Sequence, residues 1–229
     1  MINNAALVGV DDADLCPVTT GHFLTPVTLT AFRQMSQAAL ADGINIGIAS
    51  SYRSFERQAQ IWNRKYRGEN VVLDSNGLPI SAWAKLSEQE RIFAILRWSA
   101  LPGASRHHWG TDLDIYAPDL LPTGQKLQLI PDEYDKQNGY FAPLTEWLDE
   151  NMQCFGFFRP YAVDKGGVAP EPWHLSYYPE AAKCQQQLTI EVLHDVLVKN
   201  SIEGNTQILL HLPQIWDRFI MNICESNSI

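Results

Sequence analysis

One short segment, Ser105-Arg106-His107-His108-Trp109-Gly110-Thr111-Asp112-Leu113-Asp114-Ile115-Tyr116, places two histidines and a glycine just ahead of an alternating, strand-like run with two carboxylates. Glu171-Pro172-Trp173-His174 follows it, and Ser51-Tyr52-Arg53-Ser54 precedes both. A catalytic zinc site uses these residue types: imidazole nitrogens and a carboxylate as ligands, a separate carboxylate as base, and a cation for charge that develops in the reaction. His107 in a loop and Asp114 on the adjoining strand can reach one ion, because Gly110 lets the backbone turn sharply between them. A surface histidine beside a strand carboxylate that hydrogen-bonds a loop is the competing reading. His174 adds a possible third ligand, and Glu171 puts a carboxylate near it. Residues three apart on an ideal strand face opposite sides, so Pro172 is expected to bulge or start the strand and swing Glu171 back.

The other polar residues rank lower. His108 adjoins a proposed ligand, and neighbours rarely aim at one ion, so a supporting or surface role is expected. Asp112 shares a strand face with Asp114 and is read as a ligand's hydrogen-bond partner or as a solvated acid. His22, His194 and His211 have no partner pattern and read as structural. Arg53 could hold a substrate carboxylate or an oxyanion, but from the residues alone an ion pair with Glu56 is the better reading.

The elements that must position these groups follow from periodicity and capping. Thr25-Pro26 opens a helix with Leu29, Phe32, Met35 and Ala39 inward, closed by Gly43. Ile44, Ile46 and Ile48 alternate as a strand that delivers Ser50 to Arg53. Ser54 caps a helix with Ile61 and Trp62 inward. Residues 68–86 read as a loop, and Ser87-x-x-Glu90 is a capping box for a helix to about Trp98. After the strand 112–116, residues 118–142 read as a polar excursion. Leu144, Trp147, Leu148 and Met152 mark a helix, and Phe157-Phe158 and 173–178 mark short strands. Helices near 189–199 and 205–224 end the chain. The pattern is one α+β domain over 1–229.

Composition narrows the partners. The 229 residues carry 26 acidic and 17 basic side chains, a formal charge of −9, which disfavours nucleic acid and anionic membranes. The apolar run Ala5 to Val10 is too short for a secretory signal or a membrane span, so a cytoplasmic location is expected. Cys16, Cys154, Cys184 and Cys224 are scattered and read as reduced core thiols.

Taken together, Ser105-x-His107-x-x-Gly110-x-x-x-Asp114, Glu171-x-x-His174 and Ser51-Tyr52-Arg53-Ser54 with Gln58 resemble the D-alanyl-D-alanine carboxypeptidase family of zinc peptidases. This is the vancomycin-resistance type, related in fold to lysostaphin-like peptidases and the hedgehog signalling domain. The resemblance runs from about Thr28 to Leu197. It implies a small central antiparallel sheet flanked by helices, with a catalytic core over about 26–180 and C-terminal helices over about 189–224. It implies one zinc per chain on His107, Asp114 and His174, Glu171 as catalytic base, and Arg53 as the transition-state cation. Gln58 and Ser105 become substrate contacts, and the substrate a muropeptide or another peptide containing D-amino acids. An L,D-carboxypeptidase, an L-alanyl-D-glutamate endopeptidase or a silent zinc-binding domain of the same fold stays open. The family commonly has alanine in place of Asp112 and arginine in place of Ser176.

Overall fold

In the computed structural model, residues 2–12, 14–75 and 77–226 are described. Its centre is a four-stranded antiparallel sheet in the order β3-β4-β6-β5: β3 Gly47–Ser50, β4 Asp112–Tyr116, β5 Phe157–Phe158 and β6 His174–Tyr177. Leu113 and Ile115, with Leu175 and Phe157, face one hydrophobic cluster. Against it pack α2 (Pro26–Ala41) and α5 (Ala142–Asn151), through Phe32, Met35, Leu144 and Leu148. A second cluster is built from α3 (Phe55–Tyr66), α4 (Glu88–Leu96), α6 (Tyr178–Gln187) and α7 (Ile190–Lys199), with Trp62, Ile95 and Leu193 fully buried. Every residue of β4 from Asp112 to Ile115 is buried. Since side chains alternate, the face opposite Leu113 and Ile115 buries carboxylates, and those require partners.

The expected caps form. The Thr25 side chain accepts from the Thr28 N–H, Ser54 from Arg57, and Ser87 and Glu90 make a reciprocal box. Gly110 adopts φ 67°, where a Cβ would collide with Leu15, and it accepts the Thr25 N–H.

Several elements depart from the periodicity. The irregular start contains α1 (Asn4–Leu7) and a hairpin, β1 Cys16–Thr19 with β2 His22–Leu24. α6 departs from the expected pattern, since only Ala181 and Cys184 turn inward. The long C-terminal helix is broken at His211 into α8 (Asn205–Leu210) and α9 (Leu212–Ile215), continued by a π-turn over Trp216–Ile220. Pro213 explains the break: it has no N–H to give and its ring crowds the preceding turn. The 118–142 excursion is pinned rather than loose. Buried Glu133 accepts from the Gln128 and Leu129 N–H groups, and Tyr134 donates to the Ile115 carbonyl. Of the four free cysteines only Cys184 is buried, and Cys154 is exposed. Among the described residues no helix is long and apolar enough to cross a membrane.

Candidate metal centre and its surroundings

Antiparallel register sets Asp114 directly opposite His174, and Asp112 opposite Ser176. His107 reaches the same spot from a 3₁₀ turn, Arg106–Trp109, that Gly110 ends. One ligand-capable atom from each of His107, Asp114 and His174 lies within 4.8 Å of the others, and all three residues are buried.

Hydrogen bonds fix which ring nitrogens face inward. His107 Nδ1 is 2.8 Å from the Ser51 carbonyl oxygen, so its proton points there and the Nε2 lone pair faces Asp114 Oδ2 at 3.4 Å. His174 Nε2 is 2.9 Å from Asp112 Oδ1, which leaves Nδ1 facing Asp114 Oδ1 and Glu171 Oε2, each at 3.3 Å. His107 Nε2, Asp114 Oδ1 and His174 Nδ1 are all buried without a hydrogen-bond partner. Leaving even one such group unsatisfied is costly, and lone pairs converging on one point repel unless a cation lies between them. Two imidazole nitrogens and a carboxylate oxygen are a zinc donor set, so the residues present fit that ion. A proton can partly substitute for it. Burial opposes a charged His174, but the surrounding carboxylates of Asp112, Asp114 and Glu171 raise its pKa well above the usual value. His107 is pushed down, by burial and by Arg53. Burial would raise Asp114, yet the two histidines hold it below the carboxylate range.

Behind His174 lies a buried polar network. Asp112 Oδ1 accepts from Arg106 Nε at 2.8 Å, and Oδ2 accepts from the Thr111 and Ser176 hydroxyls. The remaining Arg106 nitrogens donate to Gln185 at 2.7 Å and Ser176 at 2.6 Å. The guanidinium also stacks over Trp109 at 4.7 Å. Asp112 thus supports His174 and is not solvated; burial opposes its charge, but Arg106 and His174 hold its pKa low. The sequence reading missed Arg106. The chain brings this cation from position 106 onto a serine and an aspartate.

Glu171 reaches the centre by a different route from the one expected. β6 starts only at His174, and residues 171–174 form a turn in which the His174 N–H donates to the Glu171 carbonyl. A turn, not a bulged strand, puts the carboxylate on His174's side. His108 is buried, bridging the Arg53 carbonyl through Nδ1 at 2.6 Å and the Gly103 N–H through Nε2 at 3.0 Å. Burial drives its pKa down to about 3. His22 meets the Ser51 hydroxyl, His211 packs edge-on to Phe93, and His194 sits exposed beside Asp195; none joins the centre.

Arg53 forms no ion pair with Glu56, which faces solvent. Instead its guanidinium donates to Gln58 Oε1 at 3.0 Å, and its Nε is buried without a partner. Burial weakens its hold on its proton, while Asp114 and Glu171 strengthen it. Gln58, fully buried, gives its own amide N–H to the Ala100 carbonyl at 2.7 Å. It meets the centre through Arg53, not as a wall of the cavities. Two chambers open here, sharing Arg53, His107 and Glu171. One, of about 60 Å³, is bordered by Ser105, Tyr161 and His174; the other, of about 270 Å³, by Lys65, Leu129 and Trp173. The Ser105 hydroxyl is buried and unpartnered. Tyr161 and Lys65 were not singled out by sequence reasoning. Tyr161 packs its ring on His174 at 5.1 Å. A separate cavity of about 410 Å³, beyond His108 and Trp109, touches none of the three orphaned atoms.

Residues 21–180 match the profile of the VanY D-alanyl-D-alanine carboxypeptidase family. An Enterococcus faecalis D-alanyl-D-alanine carboxypeptidase is 30% identical over 172 residues, 72% of this chain and 52% of that protein. The chain therefore spans about half of that relative. Among solved structures, VanYB in complex with D-alanine-D-alanine aligns with TM-score 0.53 and 27% identity, over 81% of this chain and 90% of that one. A zinc-bound vancomycin-resistance D,D-pentapeptidase VanY aligns with TM-score 0.53 and 30% identity, over 80% and 90%.

Proposed function

Because the chain belongs to the VanY family of D-alanyl-D-alanine carboxypeptidases and is a peptidase, we propose that it removes the last residue from peptidoglycan-derived peptides ending in D-alanine, using one zinc per chain. The observation that carries this is the triad of buried, unpartnered atoms, His107 Nε2, Asp114 Oδ1 and His174 Nδ1, with the Glu171 carboxylate 3.3 Å from the last of them. Zinc, when bound, supplies a Lewis acid and brings the pKa of a bound water to about 7.

The protein's own groups divide the rest of the work. Ser51 and Asp112 hold the two imidazoles in the tautomers that leave their ligand nitrogens free. Glu171 takes a proton from the attacking water and returns it to the departing amine nitrogen, a transfer its place at the cavity edge allows. Arg53, held by Gln58, presents donors to the carbonyl oxygen as it becomes negative. Ser105, whose hydroxyl lacks a partner, donates to the terminal carboxylate in the small chamber.

Mass spectrometry of products from a muropeptide panel tests the assignment. Loss of a single alanine from pentapeptides ending D-Ala-D-Ala is expected. Loss of the last residue from tetrapeptides alone would instead make it an L,D-carboxypeptidase. Internal cleavage would make it an endopeptidase, and no cleavage by zinc-loaded protein a binding domain.

A further inference from the structure

Lys65 lies outside the catalytic scheme, yet it borders the same 270 Å³ chamber as Arg53, His107 and Glu171. It stands seven residues after Gln58 on α3, so both project from one helix face, about 10 Å apart along the axis. Arg67, two residues on, is paired with Glu69 and Glu203. The half-buried Lys65 ammonium has no hydrogen bond or ion pair among the described residues. The chamber it borders mixes apolar side chains, Ile61, Leu73, Leu129 and Trp173, with the charged groups Arg53, Asp114 and Glu171. Burial pushes its pKa down to about 8, with Glu171 opposing and Arg53 adding to the fall. An ammonium withdrawn from water and left unpaired at the edge of a cavity calls for an anion.

The two chambers indicate where that anion sits on a peptide. The smaller, about 60 Å³, suits one small released residue, and the larger takes the chain before the scissile bond. An extended peptide covers about 10 Å in roughly three residues, the axial separation between the Gln58 and Lys65 turns of the helix. We infer that Lys65 binds a carboxylate carried two or three residues before the scissile bond, making the acyl side of the substrate acidic at that point. This rests on the peptidase reading above.

The test uses zinc-loaded protein and two pentapeptides ending D-Ala-D-Ala that differ only in glutamate or glutamine two residues before the scissile bond. Wild type should favour the carboxylate about tenfold in kcat/KM, mostly through KM, the order expected of a charge-assisted hydrogen bond. Lys65→Met should erase that preference, and Lys65→Arg, which restores charge, should keep much of it. Equal KM values in the wild type, or a preference that survives in Lys65→Met, would overturn the inference. The same pair is titrated calorimetrically onto Glu171→Gln protein, with and without Lys65→Met. A carboxylate preference in Kd that needs Lys65 supports the subsite even if neither peptide is cut, an outcome that would sink only the peptidase reading. Equal Kd values overturn the subsite while cleavage by the wild type leaves the peptidase reading standing.

Discussion

Asp112 and Asp114 sit two residues apart on one face of one strand, both buried, and the protein treats them in opposite ways. Asp112 has both oxygens occupied by donors from within the chain: Arg106, His174, Thr111 and Ser176. Asp114 has one oxygen with no hydrogen bond, and each of its oxygens faces an imidazole lone pair, Oδ1 that of His174 and Oδ2 that of His107. Burying a carboxylate is expensive unless a cation compensates it. For Asp112 the compensation is built in as Arg106. For Asp114 it must arrive from outside, as a metal ion or as a proton on His174. One aspartate therefore belongs to the scaffold and the other to the site.

The largest effect should come from breaking the scaffold half. Arg106→Met strands a buried carboxylate and should cost about 3–5 kcal/mol in denaturant unfolding, to a similar extent with or without chelator. Adding Asp112→Asn to Arg106→Met should cost less than the sum of the single changes. A loss that appears only in zinc-loaded protein would erase the distinction between the two aspartates. On the site half, Arg53→Ala should lower kcat and kcat/KM together by roughly 10²-fold, with Arg53→Lys partly restoring both. A rise in KM alone would show that Arg53 grips a ground-state carboxylate instead. Asp112→Asn by itself links the halves, since it loosens His174, and zinc competition should show affinity lower by about 10–100-fold.

The smallest effect is on pH. In the metal-free fold the His174 pKa is raised, so its proton stabilises that fold below the unfolded-state pKa and the contribution is lost as pH rises through the folded one. Zinc must displace that proton. Affinity should therefore climb about tenfold per pH unit from around neutrality and level off above the folded pKa. A flat profile would mean that His174 is already neutral in the metal-free protein.

Much of the site half was legible in the sequence because its geometry is local. Gly110 turns the chain between His107 and Asp114, a strand presents Asp114, and Glu171 and His174 lie within a single turn. The scaffold half was not: Arg106 and Asp112 are only six residues apart, but the contacts that bury them together run from Arg106 to Ser176 and Gln185, across 70 and 79 residues. Nothing in the local pattern marks an arginine beside His107 as a buried cation. α6 escaped for a related reason, with two small inward residues where periodicity needs more. Lys65 was hidden by its place in the last turn of α3, where a cation merely complements the helix dipole.

Glu171 is the residue on which the division between ligand and base turns, since its Oε2 lies as close to His174 Nδ1 as Asp114 does. The direct measurement is zinc content and turnover of Glu171→Gln beside wild type, on one preparation of each. Both proteins should hold about one zinc per chain, while the variant turns over D-Ala-D-Ala peptide about 10²-fold more slowly or worse. A variant that loses its zinc would make Glu171 a ligand, and one that keeps full activity would place the base elsewhere; either result contradicts the account.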